Sequence, residues 1–323
     1  MITRKDIAAH LEYGVRSGFL NGRKQYTPLR TPFVREVTSA GAFETYADMG
    51  DLPWPVQNAG KEGAGGTDPR TGATQVNKMN AGGPITIIGA EDRSMIVYNV
   101  DWEISIAIEH NAIDDDRTGQ LDAWARDAGT NFERFLDFKA FDALNQGEST
   151  AAYGAAFDGL SFFNDAHVYP GAEYATAQDN RFSTPLDLDA FETAITTAAG
   201  YRDTRGQPLG NNYNLLIVPP SLAREAAQIS VNPNNAGTAN NEINPYSGQV
   251  RTIVAPGGWL DTTAWFVLDA SQTQKPLTLQ IRKRPELTIW DDETQGSGVR
   301  YFKWHMRGAM AYGNWSLALQ GNS

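Results

Sequence analysis

The stretch DDDRTGQLDAWARDAGTNFERFLDFKAFDALNQ, residues 114–146, decides how the rest of the chain is read. Leu121, Trp124, Ala128, Phe132, Phe135, Phe138 and Phe141 recur at spacings of three and four, which predicts a helix with one apolar face. Asp114, Asp115 and Asp116 supply a cap and negative charge at the positive end of the helix dipole, and Gly147 supplies a stop. About 30 residues at a rise of 1.5 Å make a rod of about 45 Å, longer than a small domain needs.

Upstream of the helix the chain turns strongly β. Trp102, Ile104, Ile106 and Ile108 alternate with Glu103, Ser105, Ala107 and Glu109, the pattern of a half-buried strand. Residues 58–83 hold seven glycines (60, 63, 65, 66, 72, 82, 83) together with Asp68 and Pro69. A compact domain rarely carries so long a loop, so this region reads as a two-stranded arm that needs a neighbour to lie on. Residues 1–35 predict a short helix around 4–17, then an extended arm through Pro28 and Pro32.

Downstream, a second helix is expected from about Leu186 to Tyr201, with Asp187 or Asp189 near its start. Tyr213–Val218 reads as a buried strand ended by Pro219-Pro220, and Ser221 as the cap of a short helix reaching about Ile229. Residues 230–248 form a loop with six asparagines and one charge, Glu242. Strands follow near 250–255, 263–269 and 277–283, with a last pair near 299–306 and 308–319. No internal repeat and no dividing linker is evident.

Composition narrows the function. The chain has 323 residues and a net charge of −11, which argues against a free-standing nucleic-acid binder. It has no cysteine, so disulfides, thiolate metal sites and cysteine nucleophiles are excluded. No apolar run is long enough to cross a membrane as a helix. Four histidines (10, 110, 167, 305) stand at no ligand spacing. Asp114-Asp115-Asp116 lacks the alternating ligands of a calcium loop, and phosphate-binding and nucleophile-elbow motifs are missing. No cofactor is expected. Asp291-Asp292-Glu293 reads as an acidic turn. Arg282-Lys283-Arg284, the densest basic cluster, sits at a strand end before Pro285; it reads as a solvated or subunit-facing edge in preference to a phosphate patch, and basic clusters on acidic chains favour self-association. A long helix, a Gly-rich arm and an Asn-rich loop of low charge all ask for partners, so the residues point to assembly.

Four stretches, in order over about residues 38–319, resemble the Mu-like (gpT-type) major head subunit family. They are Tyr46 through Leu52-Pro53; IDDDRTG at 113–119; DGLSFFNDAH at 158–167; and PLTLQIRKRPE at 276–286, followed by Asp291-Asp292, Tyr301, Arg307-Gly308-Ala309 and Tyr312-Gly313-Asn314-Trp315. The Gly-rich stretch and Trp54-Pro55 depart from that family's pattern. The resemblance implies an α+β, HK97-like capsid fold: an N-terminal arm (1–50), an extended β-hairpin or E-loop (51–110), a peripheral domain (111–205) with a long spine helix at about 116–146, an axial domain (206–288), and return strands of the peripheral domain (289–323). It also implies a major capsid protein of a tailed phage, assembled in the host cytoplasm and located in the virion. Hexamers and pentamers would form an icosahedral shell around double-stranded DNA, which the subunit touches only indirectly.

Portal, scaffold or decoration proteins are the further partners this implies; a membrane is not, and no residue is expected to be catalytic. The absence of a long acidic helical stretch before the arm implies that a scaffolding domain is lacking or was removed. The subunit-interface candidates are Lys61, Arg70 and Lys78 in the arm, Asn234, Asn235 and Asn241 in the axis-facing loop, and Arg282, Lys283 and Arg284. Nothing in the sequence supports cross-linking through Lys61 or Lys78. Three alternatives are an encapsulin-like compartment shell, a tail or decoration protein and, from another class, a carbohydrate-active hydrolase using a carboxylate pair such as Asp165 with Asp158.

Overall fold

The period-two pattern at 100–109 folds as a ten-residue strand, β6 (Val100–Glu109), within a four-stranded sheet. The computed structural model describes residues 4–48, 66–67, 74–75, 93–110, 113, 120–169, 176–203, 206–234, 243–292 and 298–322. In the long sheet the order is β1 (Val34–Thr38), β11 (Leu277–Asp292), β12 (Val299–Tyr312), β6. β1 runs parallel to β11, and the other two pairings are antiparallel. The expected strand at 277–283 is therefore part of a sixteen-residue strand. Pro285 does not end it: the register shifts on either side of Lys283, and these bulges let the chain pass a residue that cannot donate to the ladder. The expected pair at 299–306 and 308–319 is one strand to Tyr312, then a 3₁₀ turn at Trp315–Leu317 and β13 (Ala318–Gly321).

β13 leaves for a second, five-stranded sheet. Its order is β7 (Arg181–Phe182), β13, β10 (Trp265–Leu268), β8 (Leu215–Val218), β9 (Arg251–Val254). β8 and β10 are buried at every residue, as continuous apolar runs in a covered sheet should be. α3 (Leu188–Ala199) is capped by Asp187, whose side chain accepts from the Ala190 N–H. α4 (Ala223–Ser230) follows a 3₁₀ turn at Pro220–Leu222. Ser221 lies inside that turn and is not a cap; its hydroxyl donates to the Thr262 carbonyl. Two short ribbons remain: β2 (Phe43–Asp48) with β5 (Arg93–Tyr98), and β3 (Gly66–Thr67) with β4 (Thr74–Gln75).

The long helix is α2, Gln120–Asn145. The acidic start expected at 114–116 lies outside the described residues. Its buried stripe holds Leu121, Ala125, Ala128, Phe132, Leu136, Ala140 and Phe141, but not Trp124, which is 46% exposed. The face is turned because α2 packs on two partners. Trp102 of β6 meets Phe135 at 4.9 Å, while Phe19 meets Phe132 at 6.0 Å and Trp304 of β12 at 6.2 Å.

Phe19 belongs to α1, and here the expectation of a short helix followed by an arm is corrected. α1 runs unbroken over Arg4–Gln25 and lies along α2. Glycines let the two backbones touch. A Cβ on Gly22 would sit 2.0 Å from the Arg126 carbonyl oxygen, and one on Gly129 would sit 2.2 Å from the Phe19 carbonyl oxygen. Gly129→Ala should therefore lower stability by about 1–3 kcal/mol, because rigid backbone must move. Gly14→Ala is the control: its Cβ meets nothing within 4 Å, and it should be neutral or slightly stabilising. Denaturant melts of the two variants check this, and equal curves would remove the close crossing from the account.

Candidate assembly surfaces

The β2–β5 ribbon is held to the long sheet by a polar knot at its root. The Tyr46 hydroxyl donates to Gln280 Oε1 at 2.9 Å. Gln280 Nε2 donates to Asn99 Oδ1 at 2.8 Å, and Asn99 Nδ2 donates to Ser39 Oγ and the Gly41 carbonyl at 3.0 Å each. Gln280, Asn99 and Ser39 are buried. Glu44 closes the knot by accepting from Gly41 N–H, Ser39 Oγ and Ala40 N–H. Those donors, Gly41 first, hold its carboxyl below the usual range. The other face of the ribbon is apolar and bare: Phe43, Ile96 and Tyr98 are 49%, 51% and 66% exposed.

Beside the ribbon root lies a groove of about 710 Å³, walled by Tyr98, Trp102, Tyr153, Phe157 and Met310. Lys139 of α2 crosses it with Nζ 5.1 Å from the centre of the Trp102 ring, a cation over an aromatic face. Burial, helped by donation to Asp142, pushes the Tyr153 hydroxyl above its ordinary pKa.

The chain between α1 and β1 is fixed by buried charge. Asp137 is fully buried and accepts from the Tyr26 hydroxyl, Leu29 N–H, Arg30 N–H and Arg30 Nη1 at 2.8–3.4 Å. Glu133, one turn earlier on α2, receives Arg30 Nη2 at 2.8 Å and Arg23 Nη2 at 2.8 Å. Arg30 is the shared cation and is itself 4% exposed. No reading of the sequence singled out these residues. Glu133 and Asp137 stand four apart on the side of the helix away from the predicted apolar stripe, so the spacing gave no signal of their burial.

The expected interface residues fall into three groups. Lys61, Arg70, Lys78, Asn235 and Asn241 lie outside the described residues. Asn234 is exposed, in an isolated bridge to Ile243 that closes the Asn-rich loop. Its companion Asn244 turns inward, donating to the Gln228, Ile229 and Asn232 carbonyls. Val231 and Ile243, 68% and 81% exposed, flank this bridge with apolar surface. Arg282, Lys283 and Arg284 are exposed but stand in the middle of β11 at its bulges, which corrects their placement at a strand end.

Asp158 and Asp165 do not form a pair facing a cleft. The Asp158 carboxylate is 1% exposed and lies 2.5 Å from His167 Nδ1, with the imidazole stacked on Trp315 at 4.2 Å. Asp165 points to solvent. Asp291 is likewise structural: Arg300 holds its carboxyl below the usual range.

This architecture recurs in solved structures. The chain is similar to the subunit in the procapsid of bacteriophage JBD30, with a TM-score of 0.56 and 18% identity, covering 100% of this chain and 76% of that one. For the capsid of cyanophage P-SCSP1u the TM-score is 0.55 at 9% identity, covering 92% and 88%. For the mature capsid of bacteriophage PhiM1 it is 0.54 at 8% identity, covering 92% and 87%. Comparison with curated protein sequences gives no match. The fold is thus the α+β, HK97-like one expected from the sequence. A family model described as phage capsid protein matches residues 98–316, more than half of the chain, so the chain belongs to the phage capsid protein family.

Proposed function

We propose that the chain is the major head subunit of a tailed phage of the Mu-like (gpT-type) kind, forming the hexamers and pentamers of an icosahedral shell around double-stranded DNA. The observation that carries this is the family match across 98–316, which spans α2, β6 and all but one strand of each sheet. The finer, Mu-like assignment rests on the ordered stretches at 46–53, 113–119, 158–167 and 276–315. In this reading the ribbon begins the E-loop, α2 is the spine of the peripheral domain, and the five-stranded sheet is the core of the axial domain. Sheet pairing supports two shifts of boundary: β6 goes with the peripheral sheet, and β13 with the axial one. Lys61, Arg70, Lys78 and Asn234, Asn235 and Asn241 are carried as subunit contacts of the arm and of the axial tip. Portal, scaffold and decoration proteins are the further partners; the capsid of bacteriophage JBD30 is one decorated with minor capsid protein trimers.

Deleting residues 60–82 tests the reading. The subunit should still melt cooperatively, because the core of both sheets is untouched, while electron micrographs should show capsomers or irregular aggregates in place of closed shells. Well-formed particles from the deletion would overturn the arm's role.

A further inference from the structure

The outer face of the long sheet separates charge across its width. β1 pairs with β11 only as far as Thr38 opposite Ile281. Beyond that point no described strand pairs with β11 on this side, so among the described residues Arg282, Lys283 and Arg284 stand on an unpaired edge of the sheet, with Glu44 of the ribbon near enough to Arg282 to feel its charge. The opposite edge is β6, whose outward residues include Asp101, Glu103 and Glu109, all exposed. The two edges meet the same rungs of the ladder. Lys283 is opposite Arg307, which is opposite Asp101; Glu286 is opposite His305, which is opposite Glu103. Along the first rung the sheet reads basic, basic, acidic. On the second, Glu286 is met by Lys283 and His305, and Glu103 by Lys303.

On a chain of net charge −11, two copies repel at long range, and contact needs a place where opposite signs meet. The same face offers both signs at opposite ends of one rung. We propose that the basic β11 edge of one copy docks against the acidic β6 edge of the next, a head-to-tail contact between copies of this chain. A head-to-tail contact closes into a ring when its rotation permits, so it suits a capsomer and not a two-fold dimer. The proposal rests on the capsid reading above and adds the residues that set the neighbour's side and orientation.

The test is a charge swap read by sedimentation of the full chain from low to high salt. Three variants are needed: R282E/K283E, D101K/E103K, and the four changes together. All should still melt cooperatively and at most slightly below the parent, since the ion pairs they reverse, with Glu286, Lys303 and Arg307, lie at the surface. Each two-site reversal should raise the concentration at half-association by about tenfold or more, and the four-site swap should recover most of that loss. Added salt should weaken parent and swap alike. Two-site variants that associate like the parent would overturn the edge contact and leave the capsid reading standing. Failure of the swap to recover association would overturn it too, in favour of a polyanion on the basic edge. A parent chain that stays monomeric under all these conditions would overturn the contact, because the two edges would then not join copies by themselves, and would leave the family assignment standing.

Discussion

Asp137→Ala should cost about 3–5 kcal/mol and free the N-terminal helix from the spine helix. Asp137 receives four donors, among them two backbone N–H groups and the guanidinium of Arg30, and the two from Arg30 are buried while those of Tyr26 and Leu29 are half-buried. Removing the carboxylate leaves the Arg30 donors buried without that acceptor, which is worse than never burying them. Arg30 keeps Glu133 and Glu36, which places the loss towards the lower end of the range. Denaturant melts give the magnitude, and limited proteolysis gives the place. Cleavage should appear first within residues 4–33, while the five-stranded sheet stays protected. Asp137→Asn separates the parts: it keeps an acceptor for the backbone donors and loses the ion pair, so it should fall between the parent and alanine. An alanine variant as stable as the parent would mean that water reaches Arg30 and that the charge cluster is not what ties α1 down.

The Asp137 cluster also shows where the sequence stops being readable. Spacings of three and four locate α2, and period-two alternation locates β6, because each depends only on neighbours along the chain. Which face of α2 is buried depends on α1, and the length of α1 depends on Gly18 and Gly22 meeting α2. Helix propensity counts those glycines as breakers; close packing makes them the contact. Trp124 was therefore expected inside and is outside, while Glu133 and Asp137, which lie off the expected apolar stripe, are inside. Pro285 misled in a similar way, since a bulge is a property of two strands and not of one. Arg282, Lys283 and Arg284 were legible as a basic cluster from the sequence alone. Their position on an open edge needed the sheet order. Lys61, Arg70, Lys78, Asn235 and Asn241 remain expectations of the sequence.

Asn180→Asp should be nearly as damaging as the loss of Asp137, and its penalty should grow with pH. Asn180 is fully buried in the segment that leads into β7. Its Nδ2 points at three carbonyl oxygens, those of Phe162, Trp315 and Ala318, at 3.0–3.2 Å, while Oδ1 accepts from the Asn164 N–H at 2.9 Å. One amide thus ties the segment after the long helix to the start of the last strand. Aspartate has the same shape but sets an oxygen where the NH₂ group was. As a carboxylate it would face three carbonyl dipoles in a dry site, at a cost of about 3 kcal/mol or more. As a neutral acid it could donate to one of the three. The folded state therefore favours the protonated form and raises the carboxyl above its unfolded value of about 3.9. For a carboxyl raised on folding, the native state binds more protons over the interval between the two values, so stability falls as pH rises through that interval. The gap between variant and parent should be smallest in acid and widest at neutral pH. Asn180→Ala removes the same donors without adding charge, so its gap should not change with pH. If the aspartate gap is as flat as the alanine gap, the carboxylate has found water, and the strands it joins must part to admit it.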